Sequence, residues 1–436
     1  MCSSLFWEGA AIKTTRLKKI FSQSRRFLRR SKRSVLFASL AVAGLAILSW
    51  YQANRTPLPG SPASYPEVAQ LSAANKTFAD LAIYFSGLAK EKGAEYAYQV
   101  LKVAALPSGT DLHLLGHTVG DILYKQRGAD GIKICTPDFR NACSHSIAVG
   151  LFTDHGIAAL PQIAQACRQA PGGSGAYTMC FHGLGHGILA YYGYDMAKAA
   201  DACQKTSTQA YNYREGLECV GGMVMEIISG GGHDHDLWVA ANARYLHADA
   251  PLSLCQQSFI PKEAKPMCYV YLTPYLFIAA GGSLDNPGTD FSKAFSYCNS
   301  LTADDKENRD SCFGGFGKEF IVLAQNRDIR RIDQLTETQL RQVQNWCAQA
   351  GERNGIAACI INAVNSMYWG GENDYRAAVK FCQVSPDEYQ KNSCFVNLIG
   401  AVFYYRSDRS YRQDFCSALP NPYQNDCTGR LNGGKG

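Results

Sequence analysis

All nine histidines of the chain lie between residues 113 and 247, and five of them recur at matching positions in three related segments. His113 and His117 are four residues apart, as are His182 and His186, and His145 stands alone in the segment between them. In a helix, side chains at that spacing lie on one face. Two imidazoles so placed can hold one metal ion, as in the His-x-x-x-His half of a zinc site. These histidines are therefore candidate metal ligands.

The three segments predict a shared site if their helices pack side by side, because His145 would then face both pairs. Glu226, beside the equivalent position of the next segment, is a weaker candidate ligand. Three to five histidines, with or without Glu226, suit zinc, copper, iron or a non-covalent haem. A repeated histidine can also be inherited and buried, with its ring bonded to a backbone carbonyl. A structural polar core thus remains the alternative.

Other candidate chemistry is sparse. The glycine-rich run at 230–236 alternates His233 and His235 with aspartates, a composition that can bind a divalent ion but is more often a solvated loop. The chain has no nucleophile elbow, phosphate-binding loop or dinucleotide motif. Glu226, Glu319 and Asp195 are the acids to test if the chain is an enzyme acting on a sugar or lipid, which rests on fold analogy alone. The sequence identifies no catalytic residue.

The cysteines indicate the elements that must position the histidines. Sixteen of seventeen fall into eight consecutive pairs: Cys135/Cys143, Cys167/Cys180, Cys203/Cys219, Cys255/Cys268, Cys298/Cys312, Cys347/Cys359, Cys382/Cys394 and Cys416/Cys427. Paired cysteines are typical of an oxidising compartment. Many connectivities are possible, but the regular spacing favours disulfides between sequence neighbours. Closing each loop would stabilise the fold by about 3 kcal/mol in the chain-entropy model.

Each pair belongs to a repeated helical unit. An Ala-rich helix ends at the first cysteine, a polar loop follows, and the second cysteine opens a more apolar, Gly-containing helix. Residues 111–117 form a cysteine-free copy in which Asp111 replaces the cysteine. Strand patterns are nearly absent. The sequence predicts an all-α, disulfide-stapled α/α solenoid or curved superhelix of about eight helix-hairpin repeats, covering residues 109–430.

This arrangement resembles the cysteine-stapled Sel1-like repeat proteins, relatives of the tetratricopeptide repeats. The resemblance spans roughly residues 111–427, although the loops between cysteines are longer here and the family's Tyr and Gly turn signatures are only partly present. It implies a right-handed superhelix of helix pairs that binds partners, and it carries no catalytic residues.

The N-terminal segments indicate a membrane tether. Residues 1–34 hold ten Lys/Arg and one acid, and residues 35–51 carry no charge. We predict a basic cytoplasmic tail at 1–34, a transmembrane signal anchor at 35–51, a Pro/Ser-rich linker at 52–66 and N-terminal helices at 67–108. The body would then face the periplasm or an extracellular or lumenal space. A cleaved signal peptide is the alternative, but Tyr51 is bulky for a cleavage site.

Two functions follow as hypotheses. The first is a membrane-anchored binding or scaffolding module for a protein or peptide, favoured by the repeat architecture. The second is a metal- or haem-binding protein, possibly an enzyme, that uses the histidines. The net charge of +6 comes from the basic tail, so the body is mildly acidic, which argues against a nucleic-acid partner.

Overall fold

The computed structural model describes residues 65–72, 76–107, 109–230, 235–282, 288–325, 328–329, 334–367 and 375–433. The chain divides into two units, Met1–Pro66 and Glu67–Gly436. The predicted tail, the predicted anchor, nearly all of the linker, and His233 lie outside the described residues. The account below concerns the second unit.

All regular secondary structure in the described residues is helical, and these residues contain no strand. This confirms the all-α prediction. The first helices are α1 (Pro66–Ser72), α2 (Phe78–Lys92), α3 (Ala94–Val103), α4 (Leu112–Arg127), α5 (Ala142–His155), α6 (Leu160–Cys167), α7 (Gly173–Tyr191), α8 (Met196–Gln204), α9 (Arg214–Ser229) and α10 (His235–Tyr245). They are followed by α11 (Ser253–Gln256), α12 (Lys265–Ala279), α13 (Ser292–Asn299), α14 (Lys306–Ala324), α15 (Glu337–Ala348), α16 (Arg353–Ser366), α17 (Tyr375–Gln383), α18 (Glu388–Tyr405), α19 (Arg409–Ala418) and α20 (Tyr423–Leu431).

All eight predicted cysteine pairs form disulfides between sequence neighbours, which confirms the predicted connectivity. The bonds join Cys135 to Cys143, Cys167 to Cys180, Cys203 to Cys219, Cys255 to Cys268, Cys298 to Cys312, Cys347 to Cys359, Cys382 to Cys394 and Cys416 to Cys427. Their Cα atoms are 5.3–5.8 Å apart, within the usual range for a disulfide.

The prediction that the second cysteine of a pair opens its helix applies to the seven pairs from Cys135/Cys143 to Cys382/Cys394 and is wrong for six of them; Cys427, for which no such start is predicted, also lies inside its helix. Cys143 is the second residue of α5, close to the predicted position. The other seven helices begin ahead of the cysteine, which then lies inside the helix: Cys180 in α7, Cys219 in α9, Cys268 in α12, Cys312 in α14, Cys359 in α16, Cys394 in α18 and Cys427 in α20. The disulfides therefore hold the body of these helices rather than their first residues.

Local groups ahead of the cysteine set these helix starts. In α18 the Asp387 side chain accepts a hydrogen bond from the amide of Gln390 and so caps the helix before Cys394 is reached. In α12 a proline near the start, Pro266, has the fixed φ that suits the first turn of a helix, ahead of Cys268. The polar loop between two paired cysteines is thus partly helical.

The cysteine-free copy also forms a helix. Asp111 caps α4 by accepting a hydrogen bond from the amide of Leu114 at 3.0 Å. The aspartate that replaces the cysteine thus fixes the start of the helix that carries His113 and His117.

The second helices of the units form a continuous inner layer. Helices α4, α5, α7, α9, α12, α14, α16 and α18 each contact the next, and α18 also returns to contact α7. At that return the hydroxyls of Thr178 and Tyr404 are 2.8 Å apart. Across the interior, Arg140 Nη2 donates to Ser366 Oγ at 3.0 Å. The layer therefore curves enough for late units to reach the histidine-bearing units.

Glycines allow the inner helices to pack closely where the histidines lie. A Cβ at Gly222 of α9 would stand 1.8 Å from the carbonyl oxygen of His182 in α7. A Cβ at Gly183 of α7 would stand 2.3 Å from Cγ of His145 in α5. Real side chains cannot approach so closely, so only glycine permits these helix separations.

The described residues include one helical segment that is long and apolar enough to cross a membrane, Ala142–Cys167. Its most apolar stretch is 44% buried inside the protein. It contains His145 and two disulfide-bonded cysteines, Cys143 and Cys167, so in this fold it serves as a core segment.

Candidate functional site

The five repeated histidines meet in one cluster on the inner face of α4, α5 and α7. We refer to His113, His117, His145, His182 and His186 as the histidine cluster. The ring centroids of the α4 pair are 4.7 Å apart and those of the α7 pair 5.2 Å apart. His145 lies between the pairs, with its centroid 5.5–6.2 Å from each of the other four rings. The packing of neighbouring units thus brings all five side chains together.

The protein fixes which ring nitrogen of His113 carries the proton. His113 Nδ1 lies 2.7 Å from the carbonyl oxygen of Phe139, and because a carbonyl only accepts, Nδ1 must donate. Phe139, Arg140 and Asn141 all have left-handed backbone conformations, with φ of 54–64°, which non-glycine residues rarely adopt. This unusual turn presents the carbonyl to His113. In the neutral ring, Nε2 then bears a lone pair.

His117 is held in the same way. Its Nδ1 is 3.1 Å from Ser146 Oγ, and that hydroxyl also lies 3.2 Å from the His117 carbonyl oxygen. When the hydroxyl donates to the carbonyl, it accepts from Nδ1, and Nε2 of His117 is then left with a lone pair. The Nε2 atoms of His113 and His117 are 3.2 Å apart. With a proton on Nε2 of His117 this contact is a hydrogen bond; with lone pairs on both atoms, the two repel unless a cation lies between them.

The distance suits a metal ion. Nitrogens bound to a tetrahedral zinc ion at 2.0–2.1 Å are about 3.3–3.4 Å apart. His113, His117 and His145 each offer a nitrogen, and these three atoms lie within 4.8 Å of one another. Among the described residues, they form the group of metal-ligating side chains that meets this spacing. The α4 pair and His145 can therefore hold one ion with three protein ligands.

The two histidines of α7, His182 and His186, are also held by hydrogen bonds. His186 Nδ1 hydrogen-bonds to Glu226 Oε2 at 3.0 Å, and Tyr194 donates to the other carboxylate oxygen of Glu226 at 2.9 Å. His182 hydrogen-bonds to the backbone of Glu218. Hydrogen bonds of this kind orient histidines that bind metals and fix their tautomers. Each histidine of the two pairs thus has one nitrogen held by a neighbouring group.

Several buried ring nitrogens of His145, His182 and His186 have no hydrogen-bond partner among the described residues. His145, His182 and His186 are 1%, 2% and 7% exposed. Among the described residues, both ring nitrogens of His145, Nδ1 of His182 and Nε2 of His186 have no hydrogen-bond partner. Leaving a buried polar atom without a partner costs about 1–3 kcal/mol. A purely structural polar core would be expected to satisfy these atoms.

Three rings of the cluster, those of His113, His145 and His182, are neutral near pH 7 because their pKa values are lowered. Burial lowers the pKa of His113 to about 4, although the hydrogen bond to Phe139 opposes the shift. Burial holds the pKa values of His145 and His182 well below the usual range, and the neighbouring histidines lower them further. Neutral imidazole is the form that ligates metals.

The cluster forms one wall of a cavity of about 570 Å³. Across from it, Lys318 and Glu319 of α14 form an ion pair, and the Lys318 ammonium lies 4.8 Å from the ring centroid of Tyr271. Burial lowers the pKa of Lys318 despite this pair. Arg140 also lines the cavity. A small molecule bound there would contact the histidines on one side and two cationic side chains on another.

The structure separates the remaining sequence candidates. Glu226 joins the cluster, but as a hydrogen-bond partner of His186. Glu319 lines the cavity. Asp195 caps α8 through the amides of Ala197 and Lys198. His235 is exposed at the start of α10, with its ring centroid 5.7 Å from that of Trp238, and is separate from the cluster.

Sequence reasoning missed several residues of the site. Lys318 occupies the same repeat position as His117 and His186, so alignment of the repeats could have placed it in the cavity. Arg140 has no such signal, because it enters the cavity from the left-handed turn at Phe139, Arg140 and Asn141, which no side-chain pattern reports.

Comparisons of the chain with protein-family models, with curated proteins and with solved structures give no match.

Proposed function

We propose that the body of this protein binds a transition-metal ion through His113, His117 and His145, and that the ion offers an open coordination position to a small molecule in the cavity. The observation that carries this proposal is the pair of Nε2 atoms 3.2 Å apart, close to the separation of two nitrogens on one tetrahedral zinc ion, with a nitrogen of His145 within 4.8 Å of both ligands. Three protein ligands beside an accessible cavity are typical of reactive rather than structural zinc sites.

A single ion fits better than haem. The Nε2 atoms of His113 and His117 lie 3.2 Å apart on one helix face, close to the separation of two ligands of one ion, and His145 would supply a third ligand to the same ion. Imidazole ligands suit zinc, copper, iron and nickel.

The chain's own residues would orient the bound molecule. Arg140 favours an anionic group, and Lys318 and Glu319, which are paired with each other, line the same cavity. A bound ion would supply Lewis acidity toward a carbonyl, phosphoryl group or water. The buried walls limit the number of waters that compete for the open position.

Cobalt substitution tests this proposal. Protein with intact disulfides, loaded with Co²⁺, should develop the intense visible bands of a four- or five-coordinate ion, and azide should shift them by taking the open position. The variant His145→Ala, which removes a ligand of the site, should lose the bands, whereas the exposed His235→Ala should keep them. Bands that persist in His145→Ala would refute the site, and bands unmoved by azide would refute the open position.

We also propose that residues 35–51 anchor the protein, with 1–34 in the cytoplasm and the body outside. The eight disulfides indicate an oxidising, extracytoplasmic compartment. Protease added to intact cells or spheroplasts should then remove the body and leave the tail protected. Protection of the body would contradict this orientation.

The second candidate function is a module that binds a protein or peptide, within a Sel1-like superhelix. Helix α10 supports it: Leu237 and Val239 are about half exposed, and Ala241 is the buried residue of that helix. A photo-reactive residue at Val239 should then cross-link one recurrent partner, and the same residue at Ile83, exposed on α2, should not. Failure to recover a partner, together with turnover of a small molecule, would reject this candidate.

A further inference from the structure

The histidine cluster contains two trios that share one member. The first is His113, His117 and His145, with ring centroids separated by 4.7, 5.5 and 5.6 Å. The second is His182, His186 and His145, with separations of 5.2, 5.6 and 6.2 Å. The second trio is the wider of the two, and its ring nitrogens do not all lie within the 4.8 Å that the first trio meets. The repeat relates the two trios, because the α4 and α7 pairs occupy equivalent positions on either side of the unit that supplies His145.

The second trio has the same donor chemistry as the first. Glu226 holds Nδ1 of His186, so Nε2 is the atom left to bind. His182 has its backbone partner on one side and its buried Nδ1 without a partner among the described residues. His145 has two ring nitrogens without a partner in the described part of the chain, which is one more than a single ion needs.

We propose that the cluster is a dinuclear centre, in which a second transition-metal ion is bound by His182, His186 and His145, and His145 bridges the two ions. This inference rests on the proposed first site. A bridging imidazole uses both ring nitrogens as ligands and so must lose its remaining N–H proton. Binding of the second ion therefore releases that proton to solvent.

The second position has a different environment from the first. Its ligand His186 is held by a carboxylate that also accepts a hydrogen bond from Tyr194, and the ring of His182 lies 4.6 Å from that of Tyr271. The first position is held by neutral groups, a carbonyl and a hydroxyl. The carboxylate makes His186 the more basic ligand, so the two positions should differ in affinity and fill in sequence.

Metal stoichiometry tests the proposal on the disulfide-intact protein dialysed against Zn²⁺. Elemental analysis should give two equivalents for the wild type and one each for His186→Ala and His113→Ala. His145→Ala should retain less than either single-pair variant, and His235→Ala should retain two. Far-UV circular dichroism and a free-thiol count check that each variant is folded. If His186→Ala is not folded, His186→Gln replaces it.

Each outcome is decisive. One equivalent in the wild type, unchanged by His186→Ala but lost in His113→Ala, would overturn the second position and leave the first intact. No bound zinc in the wild type would reject both. Proton release in the second binding step is measured by titration in weak buffer. Two bound equivalents without that release would reject His145 as a bridge.

Discussion

The Nε2 atoms of His113 and His117 face each other at 3.2 Å, while Phe139 and Ser146 hold the opposite sides of the two rings. The approach is unfavourable for two neutral imidazoles with these tautomers and favourable for two ligands of one cation. The protein therefore positions the ligands before an ion arrives, so less ordering is needed on binding.

The first prediction concerns Ser146, which fixes the tautomer of His117. Ser146→Ala should weaken zinc binding about 10- to 100-fold, the usual effect of removing a partner behind a metal ligand. Ser144→Ala is the matched control, because that buried hydroxyl bonds to the backbone carbonyl of Asn141 instead. Competition with a chromophoric chelator measures both affinities. Equal losses in the two variants would show that the Ser146 effect is not specific to the site.

The second prediction concerns Glu226. Glu226→Gln should lower the affinity of the second ion by at least about 10-fold and leave the first unchanged, because only His186 depends on this carboxylate. Tyr194→Phe removes the other partner of Glu226 and should have a smaller effect. A two-step zinc titration by calorimetry distinguishes the steps. Equal weakening of both would contradict the assignment of Glu226 to the second position.

The third prediction concerns the contact between α7 and α9. Gly222→Ala places a methyl group against the His182 carbonyl and should destabilise the protein by about 1–3 kcal/mol through overpacking. Gly400→Ala, in α18 with nothing within 4 Å of the added methyl, should stabilise it by about 0.5–1 kcal/mol. Guanidinium unfolding without reductant measures both. A Gly222→Ala variant as stable as the wild type would contradict the packing.

The fourth prediction concerns acid stability of the metal-free protein. His113 has a pKa of about 4 when folded and about 6.5 when unfolded, so between these values the unfolded chain binds more protons. Stability should therefore fall as the pH drops from about 6.5 toward 4, with His145 and His182 contributing in the same direction. Urea midpoints of chelator-treated protein at pH 7 and pH 5 measure this. His113→Asn should reduce the difference, and an unchanged difference would argue against the buried neutral ring.

The fifth prediction concerns the cysteines. Alkylation without reductant should label one thiol per chain, Cys2, because the other sixteen are paired. Intact-mass analysis reads this directly. Several labels on correctly folded protein would contradict the disulfide framework.

The sequence was sufficient for the disulfide pairing and for the five histidines, because both repeat in register along the chain. It was insufficient for the helix starts, which depend on local caps such as Asp387 and therefore precede cysteines such as Cys394. It was also insufficient to predict the groups that hydrogen-bond to the histidines. Phe139 contributes a backbone carbonyl from a left-handed turn, which no side-chain pattern reports.

The position of Lys318 in the cavity was still less predictable from the sequence. Lys318 and His113 are about two hundred positions apart in the chain and line one cavity. That proximity follows from the curvature of the inner layer, in which α18 returns to contact α7. The residue pattern within one unit does not indicate how strongly the inner layer curves.

Anomalous diffraction at the zinc edge, from crystals of the zinc-loaded protein, is the most direct test of metal binding by His113, His117 and His145. We predict a peak about 2.0–2.1 Å from Nε2 of both His113 and His117, and within bonding distance of His145. Zinc-loaded crystals with no anomalous peak among these three rings, or with peaks only at surface sites such as His235, would contradict it.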